Sequence, residues 1–292
     1  MKRKLKIGAI VIATLFVAFV TVHLFYLNSM AAIETYPADS FLEKASGKTA
    51  MIVTAHDDDA YSFSGTIFKL VSEGWTVRQI SFKRKEEEKN EMFYKVGRLQ
   101  KLQGIDLIAT KYRNDLDTNT RPYMPVTDFD AVFNHDTIYS DLSALLDKYK
   151  PEVIFSLDDS IGGYGNSEHV FISRLVVEYC NRNKDVKDFS VKRIYQAVFP
   201  PSMAEAIMVK NSWTEFNPYT EGKKAYKCKG MPLPDVCVDI ADQGASKKEY
   251  MNGFSEKDKK NIRKFSPYYN WYPSWLYFRI FGKEYFRVIK TA

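Results

Sequence analysis

Histidine and cysteine are both scarce in this chain: its 292 residues include four of the first and three of the second. The acceptor pattern Asn-x-Ser/Thr is absent, so no position is marked for N-linked glycosylation, a silence compatible with a bacterial envelope protein. Long stripes of one charge are missing too. The 42 basic and 36 acidic residues are dispersed and leave a formal net charge of +6, partly from one end, which excludes the basic footprint of a nucleic-acid binder. With 45% hydrophobic residues, the chain is globular and can bury one large domain or a domain with a lobe.

The few cysteines leave two readings open. Cys228 and Cys237 flank KGMPLPDV, a two-proline loop that a disulfide would close in an oxidising compartment. Alternatively all three are unpaired, with Cys180 a buried thiol in an apolar helical pattern.

What the chain does have in one piece is apolar length. In MKRKLKIGAIVIATLFVAFVTVHLFYLNSMAAIE, Lys2, Arg3, Lys4 and Lys6 precede a run with no acidic or basic residue except His23 until Glu34. About twenty such residues suffice to cross a bilayer, and the positive-inside rule keeps the basic start cytoplasmic. Residues 1–30 are therefore expected to be an uncleaved signal anchor, with everything beyond on the extracytoplasmic side. A cleaved signal peptide and a secreted product form the competing reading, because Ser29-Met30-Ala31-Ala32 offers small residues near a cleavage position. An apolar core longer than the usual roughly 7–15 residues speaks against it. Residues 31–48 read as a polar connector and 49–292 as a single catalytic domain.

Within that domain, short apolar runs at 49–55, 76–82, 105–110 and 152–157 read as strands, and 193–200 and 236–240 as further ones. Helical patterns fall at 64–75, 83–105 and 137–150, and a basic one in SEKDKKNIRKF. The charge run in 83–105 reads as a solvated face. Residues 113–130, rich in Asn, Asp, Thr and Pro, read as a long loop. The closing SPYYNWYPSWLYFRIFGKEYFRVIK mixes aromatics with Lys and Arg, and reads as a segment packed on the domain or as an interfacial membrane patch. Strands alternating with helices predict an α/β, Rossmann-like layered fold with a mainly parallel sheet flanked by helices, preceded by one transmembrane helix.

In such sheets ligands bind beyond the carboxyl ends of the strands. Two chemically dense loops fall there: AHDDDA after the first strand and DDSIGGYGNSEH after the fourth. Three consecutive carboxylates repel unless they are solvated, protonated or neutralised by a cation. His56 beside them supplies an imidazole, and His56 and Asp59 can turn to one side as the chain enters a helix. Mixed nitrogen and oxygen ligation suits a catalytic divalent metal, zinc above all, which needs a third protein ligand. His169, opening the helix after the second loop, is the candidate. His135 reads as a capping or surface residue. Asp158 and Asp159 read equally as partners of sugar hydroxyls and as loop caps.

These residues carry a resemblance. MIVTAHDDDAYSFSGTIFKLVSEGWTVRQISF resembles the opening of the PIG-L/LmbE-like zinc-dependent N-deacetylases, whose first strand ends in Ala-His-Pro-Asp-Asp-Glu. KPEVIFSLDDSIGGYGNSEHVFISRLVVEY is similar to that family's second motif, Gly-His-Pro-Asp-His. The likeness spans about residues 48–200. Both motifs are partly degenerate: Asp57 stands for proline and Ala60 for glutamate in the first. In the second, Asn166 stands for the first histidine, Ser167 for proline and Glu168 for aspartate. Arg84 and Arg98 are poor substitutes for the family's Arg-x-x-Glu.

The resemblance implies that His56, Asp59 and His169 bind Zn2+, that Asp58 is the general base, and that Asn166 retains a hydrogen-bond donor where the family has a histidine. It implies an N-deacetylase acting on an N-acetylated amino sugar or glycoconjugate, weakened by the departures. The alternative is a catalytically impaired homologue that binds glycans. Two-metal phosphoester hydrolysis is disfavoured, since no second His and carboxylate set is visible.

Overall fold

The computed structural model describes residues 2–114, 123–211 and 216–291. Seven strands, β1 (Thr49–Val53), β2 (Thr76–Phe82), β3 (Gly104–Ile108), β4 (Val153–Leu157), β5 (Arg193–Ala197), β6 (Val236–Asp239) and β7 (Lys283–Lys290), form one sheet in the order β3-β2-β1-β4-β5-β7-β6. The first five strands are parallel, and β7 runs antiparallel to both neighbours, β5 and β6.

Side chains alternate across the sheet, so each strand feeds two cores. Met51 and Val53 enter one, Ala50 and Ile52 the other. The first is closed by α4 (His135–Tyr149) and α5 (Ser167–Asn183). The second is closed by α2 (Ser64–Ser72), α3 (Glu87–Leu99), α6 (Gly244–Asn252), α7 (Glu256–Phe265) and α8 (Ser274–Ile280). The layered, mainly parallel α/β architecture is thus the expected one. Strand order reverses between β1 and β4, the switch point where open α/β sheets place their ligands.

Before the sheet runs α1 (Lys2–Asn28), the one helix among the described residues long and apolar enough to cross a membrane; its Lys6–Asn28 stretch has a mean hydropathy of 2.4. Its last turns meet the domain. Leu27 is fully buried, and the His23 ring stacks on Trp271 at 5.3 Å while its Nδ1 lies 2.6 Å from the Tyr272 hydroxyl.

Several local expectations are revised. The connector 31–48 is stitched to the sheet: the Asp39 amide donates to Cys237 O at 2.9 Å and its carboxylate accepts from Tyr195 at 2.9 Å. The helix expected over 83–105 starts at Glu87, because Asn90 pins Arg84 by accepting from its amide at 2.7 Å and donating to its carbonyl at 2.9 Å. The terminal KEYFRVIK, not foreseen as a strand, is β7. Its buried Glu284, ion-paired with Lys247, breaks the pattern by which a buried strand is recognised. All three cysteines are free; Cys237 on β6 donates to Tyr36 O at 3.3 Å, and Cys228 packs against the core closed by α4 and α5. Of the stretch 113–130, residues 115–122 lie outside those described, and the rest includes short helical turns at Val126–Asp128 and Phe129–Val132.

Candidate metal centre

The chain leaves β1 at Val53 and turns at once. The His56 amide donates to Asp59 Oδ2 at 2.7 Å, which folds residues 56–59 so that the imidazole and the carboxylate share one side. Across the switch point, β4 ends in a loop held by Asp158. Its carboxylate accepts from the amides of Ser160 at 3.0 Å, Ile161 at 2.7 Å and Gly163 at 2.7 Å, so of its two earlier readings the loop-cap role is the one observed. Asn166 then caps α5 by accepting from the Glu168 amide at 2.9 Å. That cap aims the first turn, and with it Glu168 and His169, back at β1.

Three groups meet there. His56 Nδ1 lies 2.8 Å from His169 Nε2, and Asp59 Oδ1 lies 3.0 Å from His169 Nε2 and 3.6 Å from His56 Nδ1. One ligand atom from each of the three residues falls within 4.8 Å of the others, a group able to hold a metal ion. Asp59 and His169 are buried.

The outer nitrogens decide what the inner ones can do. His169 Nδ1 faces Gly162 O at 2.9 Å, and a backbone carbonyl can only accept. Gly162 is at φ +59°, where a Cβ would come within 2.6 Å of His169 Cβ, so glycine lets that carbonyl reach the ring. His56 Nε2 faces Glu168 Oε2 at 2.7 Å. With both outer nitrogens protonated, two inner lone pairs and a carboxylate face one point, and only a positive species satisfies all three. A proton does so at 2.8 Å; a metal ion is the other choice. Imidazole ligands that donate their far nitrogen to a carboxylate or a backbone carbonyl are the usual second layer of a metal site, so these residues fit a divalent cation.

Charge follows this geometry. Burial disfavours an imidazolium at His56, but Asp59 first and then Glu168 outweigh it and raise its pKa to about 10. Burial pushes the Asp59 carboxyl up, yet His169 and His56 overcome it and hold it well below the usual carboxylate range. Asp58 is different: burial, reinforced by the neighbouring Asp59 and Asp57 charges, lifts it to about 7. It stands with Asn166, Tyr123 and Asn261 on a recess beside the triad. Asp57, the carboxylate without an assigned role in the sequence, is buried 3.4 Å from Lys89 Nζ, which also binds Asp258 at 2.6 Å. It ties the loop to α3 and α7.

The structure brings His56, Asp58, Asp59, Asn166 and His169 to one sheet edge. It leaves His135 at the surface, bound to Glu178 at 2.8 Å and Asp136 at 3.0 Å. Sequence reasoning missed Glu168 as an organiser. Beyond His56, it accepts from Arg113 at 2.8 Å and Tyr112 at 3.2 Å and lies 3.6 Å from Arg84. Burial would raise its pKa, but these partners, His56 foremost, hold it at about 2. Its place next to His169 at a helix start was the available signal. Arg84, set aside as a poor positional match, ends up beside this carboxylate.

No curated protein matches the chain by sequence. Among solved structures it is similar to N,N'-diacetylchitobiose deacetylase from Pyrococcus horikoshii (14% identity, 86% of this chain and 87% of that one, TM-score 0.51). It is also similar to GalB, the 4-carboxy-2-hydroxymuconate hydratase from Pseudomonas putida KT2440 (13%, 82% and 95%, 0.49), and to the zinc-inhibited form of teicoplanin deacetylase Orf2 (10%, 83% and 98%, 0.45). At these identities the first likeness speaks for the fold. Residues 51–180, which run from β1 into α5 and hold both loops, match the family described as PIG-L: GlcNAc-PI de-N-acetylase. That segment of the chain is thus similar to the PIG-L family, the one its two motifs resemble.

Proposed function

We propose that this chain is a zinc-dependent hydrolase that removes the N-acetyl group from an N-acetylglucosamine-type glycan or glycoconjugate. The observation that carries the reading is the convergence of two imidazole lone pairs and the Asp59 carboxylate on one point, with both outer nitrogens tied down. The match over residues 51–180 to a de-N-acetylase family supports the reaction class.

In this reading His56, Asp59 and His169 hold Zn2+. When bound, the ion polarises the amide carbonyl and acidifies water. The rest falls to the chain's own groups. Asp58, near neutral in pKa and on the open recess, accepts the proton of the attacking water. Glu168 and Gly162 O keep the imidazoles in the tautomers that face the ion. Asn166 bonds Tyr164 through its side chain and caps α5, so it steadies the recess and offers an amide donor but no proton to the departing amine. That last point favours a second reading, a glycan-binding homologue with impaired turnover. We place the domain outside the cell, held by α1 as an anchor, with an N-acetylated amino sugar as its partner.

The test is made on the full chain in detergent: metal content by elemental analysis, and acetate release from N-acetylglucosamine-containing glycans. About one zinc per chain and acetate release that Asp59→Ala abolishes support the hydrolase. Zinc with tight glycan binding and no acetate from a broad panel supports the second reading. No zinc, with Asp59→Ala changing nothing, overturns both.

A further inference from the structure

Two recesses meet at the triad, and they differ in chemistry. One is polar, lined by Asp58, Asn166, Tyr123 and Asn261. The other starts at Asp59 and His169 and continues into a cavity of about 80 Å³, several times the roughly 10–15 Å³ one water needs on the same measure. Its walls are mainly apolar, with Phe199, Met203, Met208, Met231, Phe265 and Phe281. Its buried polar pair offers a ligand little, since Lys247 is bound to Glu284, which also accepts from the amides of Gly65 at 2.9 Å and Thr66 at 2.6 Å. Phe265, Tyr61 and Tyr164 border both recesses.

An amide whose carbonyl sits at the triad must send its amine half one way and its acyl half the other. A sugar amine suits the polar recess, and the apolar chamber is left for the acyl side. An acetyl methyl would leave most of that chamber's hydrocarbon wall in contact with water. The geometry points to a chamber built for the acyl chain of the scissile amide, and to a preferred chain longer than acetyl. Three unbranched methionines give the wall the adaptability a flexible chain requires. The segments that form it also touch the apolar helix: Tyr26 donates to Asn211 at 3.2 Å, following Met208, and Tyr272, between Phe265 and Phe281, meets His23 at 2.6 Å. A chain-bearing amphiphile gathered at a bilayer would meet this side of the domain.

The inference rests on the amide-hydrolase reading, and its test separates the two. The zinc-supplemented full chain in detergent is given N-acetyl-, N-butanoyl- and N-hexanoyl-glucosamine, with free glucosamine measured and binding of the same three amides followed by calorimetry. Each methylene that enters the chamber is expected to gain about threefold to fourfold, so kcat/KM for hexanoyl should exceed that for acetyl by at least about tenfold. Met208→Trp should collapse that ratio, and Met208→Ala, in case the larger residue prevents folding, should move the optimum to longer chains. Equal or falling kcat/KM with chain length overturns the proposal, as does a preference that follows an alkyl group on the sugar's C1 oxygen instead of the acyl. If no amide is cleaved, the hydrolase reading fails separately; tighter binding of hexanoyl than acetyl then still supports the chamber, and equal binding overturns it.

Discussion

Glu168 Oε2 lies 2.7 Å from His56 Nε2, on the far side of the ring from His169. One turn of α5 thus supplies both the proposed ligand His169 and the carboxylate that faces the other imidazole, from adjacent positions in the chain. Removing a second-layer partner of this kind typically costs about ten- to a hundredfold in metal affinity. Glu168→Gln is expected to weaken zinc binding by that amount in a chelator competition while the fold stays intact by circular dichroism. Unchanged affinity would show that the contact does not tune the site.

At His56 a metal ion would have to compete with a proton. Its pKa of about 10 means the metal-free chain is protonated there at pH 8. Zinc added at pH 8 in weak buffer should therefore release about one proton per ion, and His56→Gln should abolish the release. The same shift has a sign for stability. A folded-state pKa raised above the ordinary 6.5 gives stability that is full below that value and lost as pH climbs toward about 10. Metal-free protein should melt progressively lower from pH 7 to 10, more so than His56→Gln; parallel melting curves would count against the pairing.

Asp58 must be ionised to accept a proton, and burial with two neighbouring carboxylates puts it at about 7. Activity should fall as pH drops through neutrality. Replacing a positioned base typically costs about a hundred- to ten-thousandfold, so Asp58→Asn should lower kcat by that order and erase the acidic limb of the pH profile. A variant that keeps the same limb would move the base elsewhere.

Glu284 is a buried link between β7 and α2. It accepts from the Gly65 and Thr66 amides and the Thr66 hydroxyl, and pairs with Lys247. Glu284→Ala leaves the Lys247 charge and two helix-start amides without this partner, and should destabilise the chain by about 3–5 kcal/mol. Adding Lys247→Met should recover part of the loss in thermal unfolding. Additive losses would show that the two residues do not act as a pair.

The sheet was legible because its interior strands are short, β-branched and apolar; β2 falls at the residues expected, and β1 and β4 within two. What escaped was written in polar residues whose partners are remote in sequence. β7 hides a buried carboxylate whose lysine lies 37 positions away, and Glu168 reads as an ordinary helix-start acid until Arg113 and His56 arrive from other loops. The triad's members were visible as a histidine and carboxylate beside an apolar run, with a second histidine at a matching loop. Asn166 was read as a hydrogen-bond donor in place of a histidine; its work as the cap that aims α5 needs three dimensions to see.

The packing of His23 against Trp271 and Tyr272, together with the stitched residues 31–48, fastens the end of α1 to the domain. A protein on a flexible leash samples a hemisphere; one bolted to its stalk works at a single height. With α1 seated in a bilayer, the two histidines would sit at a constant level above the lipid, and only targets presented at that level would be within reach.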